Sequence, residues 1–278
     1  MMLRKRLLPK NFMDFGAVTF VLVMIQVIYW FELFLVLPEH YADGGVSYYV
    51  HCVIGTWLLF NVVGNYVIVF LQDTSIQGRL LSSEMKQNWR FCDVCEAVAP
   101  PRSWHCPVCD VCILKRDHHC NFTACCIGHH NQRYFMMFLL HLSISTVYAS
   151  YFNVIFLWRC TTFSVIGILK LVFPVALFMF GGDTSLTQLY RLFCVIAFIG
   201  MIAAISLGCY HAANVLNGQV MHERVKGISE YNLGRKENIR QVFGERWYVT
   251  WISPFLESPL PCDGIEWNFV KKSTAKSK

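Results

Sequence analysis

Four long stretches of the chain run almost without charge: Phe15–Leu37, Val46–Leu71, Tyr134–Trp158 and Leu189–Tyr210. Each predicts one helix. At about 23 residues, a helix is about 34 Å long and crosses a hydrocarbon core of about 30 Å. The first stretch does not read as a cleaved signal peptide, because its apolar run is too long and no small-residue cleavage site follows. Gln26, Glu32, His51, Asn61 and Asn65 interrupt the spans. They read as hydrogen-bonding groups between helices of a bundle, with an intramembrane functional role as the alternative.

A fifth apolar stretch, 163–180, contains Lys170 and Pro174 and ends in Gly181-Gly182-Asp183. Charge decides its reading. Lys and Arg favour the cytoplasmic side of a membrane. Residues 1–13 hold four, 72–133 hold seven and 211–278 hold ten, whereas 38–45 hold none and 159–188 hold two. Four spans put all three rich segments on one side; five would strand the ten-charge tail on the other. Residues 163–180 are therefore expected to be an apolar part of a lumenal loop, re-entrant or interfacial.

Composition agrees. The chain is 55% hydrophobic and 15% charged, against about 25% charged for soluble domains. The expected fold is an all-α integral membrane protein, with four transmembrane helices and a small cytoplasmic cysteine-rich zinc domain between the second and third. The corresponding divisions are 1–71, 72–133, 134–210 and 211–278. No internal repeat is apparent, and the tail from Lys271 to Lys278 is basic and expected to be disordered.

Eight of the thirteen cysteines fall between Cys92 and Cys126. Interleaved with histidines in Cys-x-x-Cys spacing, they have the pattern of zinc ligands in a reducing compartment rather than of disulfides. Zinc takes four tetrahedral ligands. One site takes Cys92, Cys95, His105 and Cys112; the other takes Cys106, Cys109, His119 and Cys126. The His105-Cys106 step suggests interleaving, since adjacent side chains of an extended chain point opposite ways. Large apolar residues are scarce here, so metal is expected to supply much of the folding energy. Asp117, His118 and Cys120 are left over. In extended chain His118 and Cys120 share the face opposite His119. A thiol beside an imidazole is an activated nucleophile, and Asp117 is suited to orient the imidazole.

Asp117-His118-His119-Cys120 within this frame resembles the DHHC family of protein S-acyltransferases. The similarity extends through Pro101, Arg102, His105 and Cys106, through Cys126-Ile127-Gly128 and Asn131-x-Arg133-Tyr134-Phe135, and to the downstream stretch Asn238–Gly244. The resemblance implies transfer of a long acyl chain, usually palmitoyl, from acyl-CoA to protein cysteines through an acyl-enzyme on Cys120. It implies two structural zinc ions, acyl-CoA as co-substrate, cysteine-containing proteins at the cytoplasmic membrane surface as partners, and the endoplasmic reticulum or Golgi as location. It also implies that the asparagine of the downstream stretch packs back against the catalytic region. There are departures. Where the family continues Pro-Trp-Val-Asn-Asn-Cys, this chain has Asn121-Phe122-Thr123-Ala124-Cys125-Cys126. Asp-Pro-Gly after the second span is Asp73-Thr74-Ser75, and Thr-Thr-x-Glu after the last is Val220-Met221-His222-Glu223. The last two changes bear on local anchoring, the first on surroundings of the nucleophile.

Lys115, Arg116 and Arg133 have two readings, as contacts for CoA phosphates or as ordinary positive-inside charges. A catalytically silent zinc-stabilised scaffold of the same family is the alternative function, and intact Asp117, His118 and Cys120 argue against it. A membrane RING-type ligase lacks its closing Cys-x-x-Cys, since Cys125 and Cys126 are adjacent. No basic, aromatic-interleaved helix follows the ligands, which argues against nucleic acid.

Phe135, Phe138, Leu142 and Ser145 recur at helical spacing along one face of the third span. The resemblance places this face beside the acyl chain, with Phe135 and Phe138 nearest the nucleophile. Ser145 then lies about 15 Å beyond Phe135, at 1.5 Å per residue. A small residue there leaves room for chains of 16 and 18 carbons (~) about equally. Overfilling a packed cavity costs roughly 1–3 kcal/mol, so Ser145→Tyr is expected to shift preference to shorter chains, about 14 carbons. Competition between acyl-CoAs of different length checks this. An unchanged preference in the Tyr variant would instead turn Ser145 toward a neighbouring helix.

Overall fold

A computed structural model describes residues 2–5, 7–82, 84–160 and 164–269. Among these, four helices are long and apolar enough to cross a membrane: Phe12–His40, Val46–Leu71, Gln132–Arg159 and Leu186–Leu216. Each covers its apolar stretch. The fifth stretch forms two short helices, Val165–Val172 and Pro174–Met179. Neither has the length of a span. Pro174 lacks the N–H that would continue the first helix into the second. Residue 163, where the expected stretch begins, and the basic tail from Lys271 lie outside the described residues.

The chain divides into two compact units. One comprises Val21–Val62 and Leu139–Gly208. Its core gathers Phe31, Val36 and Leu37 of the first span with Phe152, Phe156 and Cys194. The first span widens into a π-helical turn over Glu32–Val36, just before Pro38, where proline removes one rung of the helical ladder. Glu32 Oε1 accepts from Asn153 Nδ2 at 2.7 Å, and Asn153 Oδ1 accepts from Cys194 Sγ at 3.3 Å. His51 hydrogen-bonds the hydroxyls of Tyr41 and Tyr148. These groups link helices, as polar groups in a span do when water is absent.

The other unit comprises Met1–Phe20, Val63–Phe138 and Cys209–Lys278. At its centre are three antiparallel hairpins of three-residue strands: β1 (Arg90–Cys92) with β2 (Ala97–Ala99), β3 (Trp104–Cys106) with β4 (Val111–Ile113), and β5 (His118–Cys120) with β6 (Cys125–Ile127). Such short strands bury little. The clusters between them are small, one of Ile76, Ala99, Cys112 and Leu114, another of Cys106, Val111, Ile113 and Cys126.

The hairpins repeat one design. Cys92, Cys106 and Cys120 end the first strand of each, and Glu96, Asp110 and Ala124, four residues on in each case, all have positive φ (47°, 59° and 45°). His105 pairs with Cys112 and His119 with Cys126. An internal repeat is therefore present after all. Its letters are the cysteines and histidines themselves: Cys92, Cys106 and Cys120 are 14 residues apart, as are Cys95 and Cys109, His105 and His119, and Cys112 and Cys126.

Asp73-Thr74-Ser75 docks this domain. Leu114 N donates to Thr74 O at 2.9 Å, Ile76 N donates to Cys112 O at 3.0 Å, and His130 N donates to Thr74 Oγ1 at 3.2 Å. Asp73 Oδ1 accepts from Ser75 N at 2.8 Å, an Asx turn in place of a Pro-Gly turn. Gly128 lies against this junction. A Cβ there would come 2.6 Å from Leu114 O and 2.9 Å from Thr74 Oγ1, so only glycine admits the approach. Asn238 is buried, and its Nδ2 donates to Leu216 O at 2.8 Å while Oδ1 accepts from Leu233 N at 3.0 Å. It thus pins the C-terminal segment to the end of the last span.

Candidate active site and metal centres

The hairpins hand ligands to one another. The turn of the first supplies Cys92 and Cys95, and the cross-strand pair of the second supplies His105 and Cys112. In that group one ligand atom from each residue lies within 4.8 Å of every other. The turn of the second hairpin supplies Cys106 and Cys109, the third supplies His119 and Cys126, and the same limit holds. In both groups histidine Nδ1 faces the sulfurs, His105 at 3.3 Å from Cys95 and His119 at 3.4 Å from Cys109. Three thiols and one imidazole nitrogen at this spacing suit tetrahedral zinc. The Arg116 guanidinium lies near Cys106 and Cys126, where its charge favours their thiolates.

Cys125 and Cys126 part company in β6. Cys126 joins the second group. Cys125 is buried, donates to Val69 O at 3.6 Å and lies opposite Cys120 in the ladder. Burial pushes its thiol up to about 12, so it stays protonated and unreactive.

β5 sorts its residues by face. His119 points to the second group of ligands, and His118 and Cys120 point the other way. His118 Nδ1 donates to Asp117 Oδ2 at 2.8 Å, and the ring lies close enough to Cys120 for each to bias the other's ionisation. Burial opposes the charged imidazole, but Asp117 and Cys120 outweigh it and raise His118 to about 9. Burial likewise resists the Cys120 thiolate, yet the neighbouring His118 ring, with smaller help from Thr123 and the Phe122 backbone, lowers its pKa. Asp117 is buried too, and its bonds to two histidines hold it well below the usual carboxylate range. The result is a thiol whose ionisation is favoured by an adjacent imidazole, itself backed by a carboxylate.

Several partners of this pair escape a reading of the sequence. His211, in the fourth span, places Nδ1 3.2 Å from Asp117 Oδ2 and stacks on His118 with ring centroids 4.9 Å apart. Phe135 closes the other side, 5.3 Å from His118 and 5.2 Å from His211. Met221 N donates to Asp117 Oδ1 at 2.7 Å. Glu223, the surviving letter of the Thr-Thr-x-Glu position, is buried against Arg102. It accepts from Arg102 Nε and Nη2, both at 2.7 Å, and from Val220 N at 2.9 Å. The Arg102 guanidinium also covers Tyr231 at 4.3 Å and Trp267 at 4.6 Å. Backbone and glutamate thus keep an anchor that threonines do not supply. The one sequence signal for His211 is a histidine at the end of an apolar run.

The basic residues occupy internal positions. Arg133 is buried and donates to Ser258 O at 2.8 Å. Lys115 is buried, and desolvation, with Arg102 nearby, lowers it to about 7, which makes it a weak standing charge for a phosphate. Arg116 serves the cysteines. Phe135 and Phe138 are buried in the same compact unit as the triad. Leu142 and Ser145 belong to the other unit, where Ser145 is half-buried and its hydroxyl donates to His141 O at 2.7 Å within its own helix.

Thr123 stands three residues after Cys120, where the first two hairpins have Cys95 and Cys109. The third hairpin therefore lacks the second thiol that the turns of the first two supply to their ligand groups. In the second hairpin Cys109 N donates to Cys106 Sγ at 3.4 Å.

Comparisons with known proteins agree in one direction. The DHHC palmitoyltransferase family matches residues 85–228. The probable palmitoyltransferase ZDHHC24 of Mus musculus is 34% identical over 219 residues, covering 76% of each chain. Its counterpart from Danio rerio is 34% identical over 227 residues, covering 80% of this chain and 76% of the relative. Palmitoyltransferase ZDHHC22 of Homo sapiens is 26% identical over 261 residues, covering 88% of this chain and 90% of the relative.

Two predictions come from this geometry. Cys126→Ala is expected to release one of two zinc ions and loosen the third hairpin, because a site short of a ligand loses most of its binding energy. Cys125→Ala is expected to keep both ions, and metal analysis of the two purified variants separates the cases.

Proposed function

The chain belongs to the DHHC palmitoyltransferase family, and from that premise we propose that it moves a palmitoyl group from acyl-CoA to protein cysteines through a thioester on Cys120. The observation that carries this reading is the shared face of β5, where Cys120 meets His118 and His118 meets Asp117. A structural zinc module needs His119 alone from this strand.

In the first half-reaction His118 takes the Cys120 proton, and the thiolate attacks the acyl-CoA carbonyl carbon. The carbon–sulfur bond to CoA breaks, the proton passes from His118 to the departing sulfur so that CoA leaves as its thiol, and the acyl group remains on Cys120. In the second, His118, again neutral, takes the proton of a substrate cysteine, whose thiolate attacks the thioester; the carbon–sulfur bond to Cys120 breaks, and His118 returns the proton to Cys120. Asp117 keeps the His118 proton on Nδ1, leaving the other nitrogen free to trade protons with sulfur. His211 and the Met221 N–H hold Asp117 ionised throughout. Zinc, when bound by the two Cys₃His groups, fixes the hairpins that aim β5 and takes no part in bond making.

Four spans and three basic segments support a multi-pass protein with its termini and hairpins in the cytoplasm, in endoplasmic reticulum or Golgi membrane. A membrane host suits this chemistry. Keeping a long acyl chain out of water is worth roughly 0.8 kcal/mol per methylene, whereas CoA and the protein substrate approach from water.

Incubation of the purified full chain with a labelled palmitoyl-CoA analogue tests the reading. Hydroxylamine-sensitive label is expected on the wild type and none on Cys120→Ser. His118→Ala is expected to lower the labelling rate by about 10²–10⁴, the usual range for loss of a general base, with zinc content unchanged. Full labelling of Cys120→Ser would assign the thioester to another residue.

A further inference from the structure

The first span begins at Phe12, and Asn11 caps it: Asn11 Oδ1 accepts from Asp14 N at 2.7 Å. This is the ordinary chemistry of a helix start. It leaves the Asp14 carboxylate in the first turn, where free N–H groups favour negative charge. Asp14 is only 1% exposed. A carboxylate so buried needs a stated compensation, and the cap alone supplies little: Asp14 Oδ2 accepts from Asn11 Nδ2 at 3.1 Å, while Oδ1 has no partner among the described residues.

The compensation lies across from it. His119 Nε2 is 3.1 Å from Asp14 Oδ2. The other nitrogen of that ring, Nδ1, faces Cys106, Cys109 and Cys126 at 3.7, 3.4 and 3.8 Å. Once Nδ1 is given to a metal, the ring proton must sit on Nε2, and Nε2 then donates to Asp14. His105, the corresponding ligand of the first group, has no carboxylate partner among the described residues. Its Nδ1 faces Cys95 at 3.3 Å.

We propose that Asp14 is a working part of the second zinc centre, fixing the tautomer and tilt of His119 and tying the start of the first membrane helix to the strand that carries Cys120. The proposal rests on the reading of Cys106, Cys109, His119 and Cys126 as a zinc centre. A carboxylate behind a ligating imidazole strengthens its bond to metal and stops the ring from turning, and losing such a partner costs about 10–100-fold in metal affinity. The two centres are therefore unequal: among the described residues only the second has a carboxylate behind its histidine, and that carboxylate belongs to a membrane helix.

The test is zinc release from the full chain in detergent micelles, followed with a chromogenic chelator. The wild type is expected to hold two zinc ions. Asp14→Ala is expected to weaken one of them by about 10–100-fold and leave the other as in the wild type. Asp14→Asn keeps the shape and an acceptor oxygen but lacks the charge, and its effect is expected to fall between. In a Cys126→Ala background, where only the first centre remains, Asp14→Ala is expected to change nothing further. Two ions with unchanged release in both Asp14 variants, or equal weakening of both ions, would overturn the role of Asp14 while leaving the zinc reading intact. Fewer than two ions in the wild type would overturn the zinc reading itself. If Asp14→Ala yields no folded protein, the Asp14→Asn measurement decides by the same criteria.

Discussion

Strict alternation of side chains along an extended strand is the constraint on which the site depends. β5 is three residues long, and its ladder with β6 fixes which way each residue faces. His119 is committed to one side with Cys106, Cys109 and Cys126. His118 and Cys120 are thereby committed to the other, where Asp117 and His211 meet them. A slip of one residue would exchange the two histidines and put Cys120 among the metal ligands. Register therefore decides whether Cys120 faces the ligand group or faces His118.

That register cannot rest on apolar packing, because the hairpins have too little of it. Their clusters hold four buried residues each. Structural zinc contributes on the order of 10 kcal/mol per site, far more than such clusters. Linking each hairpin's turn to the next hairpin's His–Cys pair makes the three strand pairs one cooperative unit, with β5 last in the chain of linkages. The same design sets Cys120 apart: Thr123 stands where the first two hairpins have a second thiol, so the third turn offers one sulfur where the others offer two.

Asp117 couples this module to the rest of its unit. One carboxylate oxygen receives two imidazoles and the other the Met221 N–H. Two residues on, Glu223 closes a buried pair with Arg102. Breaking such a pair costs about 3–5 kcal/mol because a charge is left without a partner. The segment after the last span is thus held at Asp117 and at Arg102, which keeps the acid that orients His118 from moving with the loop.

Four helices, their approximate ends and the failure of 163–180 to form a fifth were legible in hydropathy and charge, because a lipid solvent selects on average composition over 20 residues (~) and needs no detail of packing. The grouping of cysteines and histidines was legible for a similar reason, since a turn of two residues brings both ends of Cys-x-x-Cys inward whatever lies between. Three things were not. His211 is about 90 residues from Asp117 in sequence (~), and only folding of the last span brings it to the triad. Asp14 reads as an acid at a helix start until His119 is placed beside it. The kinship of the three hairpins is written in cysteines and histidines 14 residues apart, but it reads as ligand spacing until the shared positive φ at Glu96, Asp110 and Ala124 shows one backbone design. Local spacing determines what a short segment can bind; which distant group completes it is decided only when tertiary structure brings the two into contact.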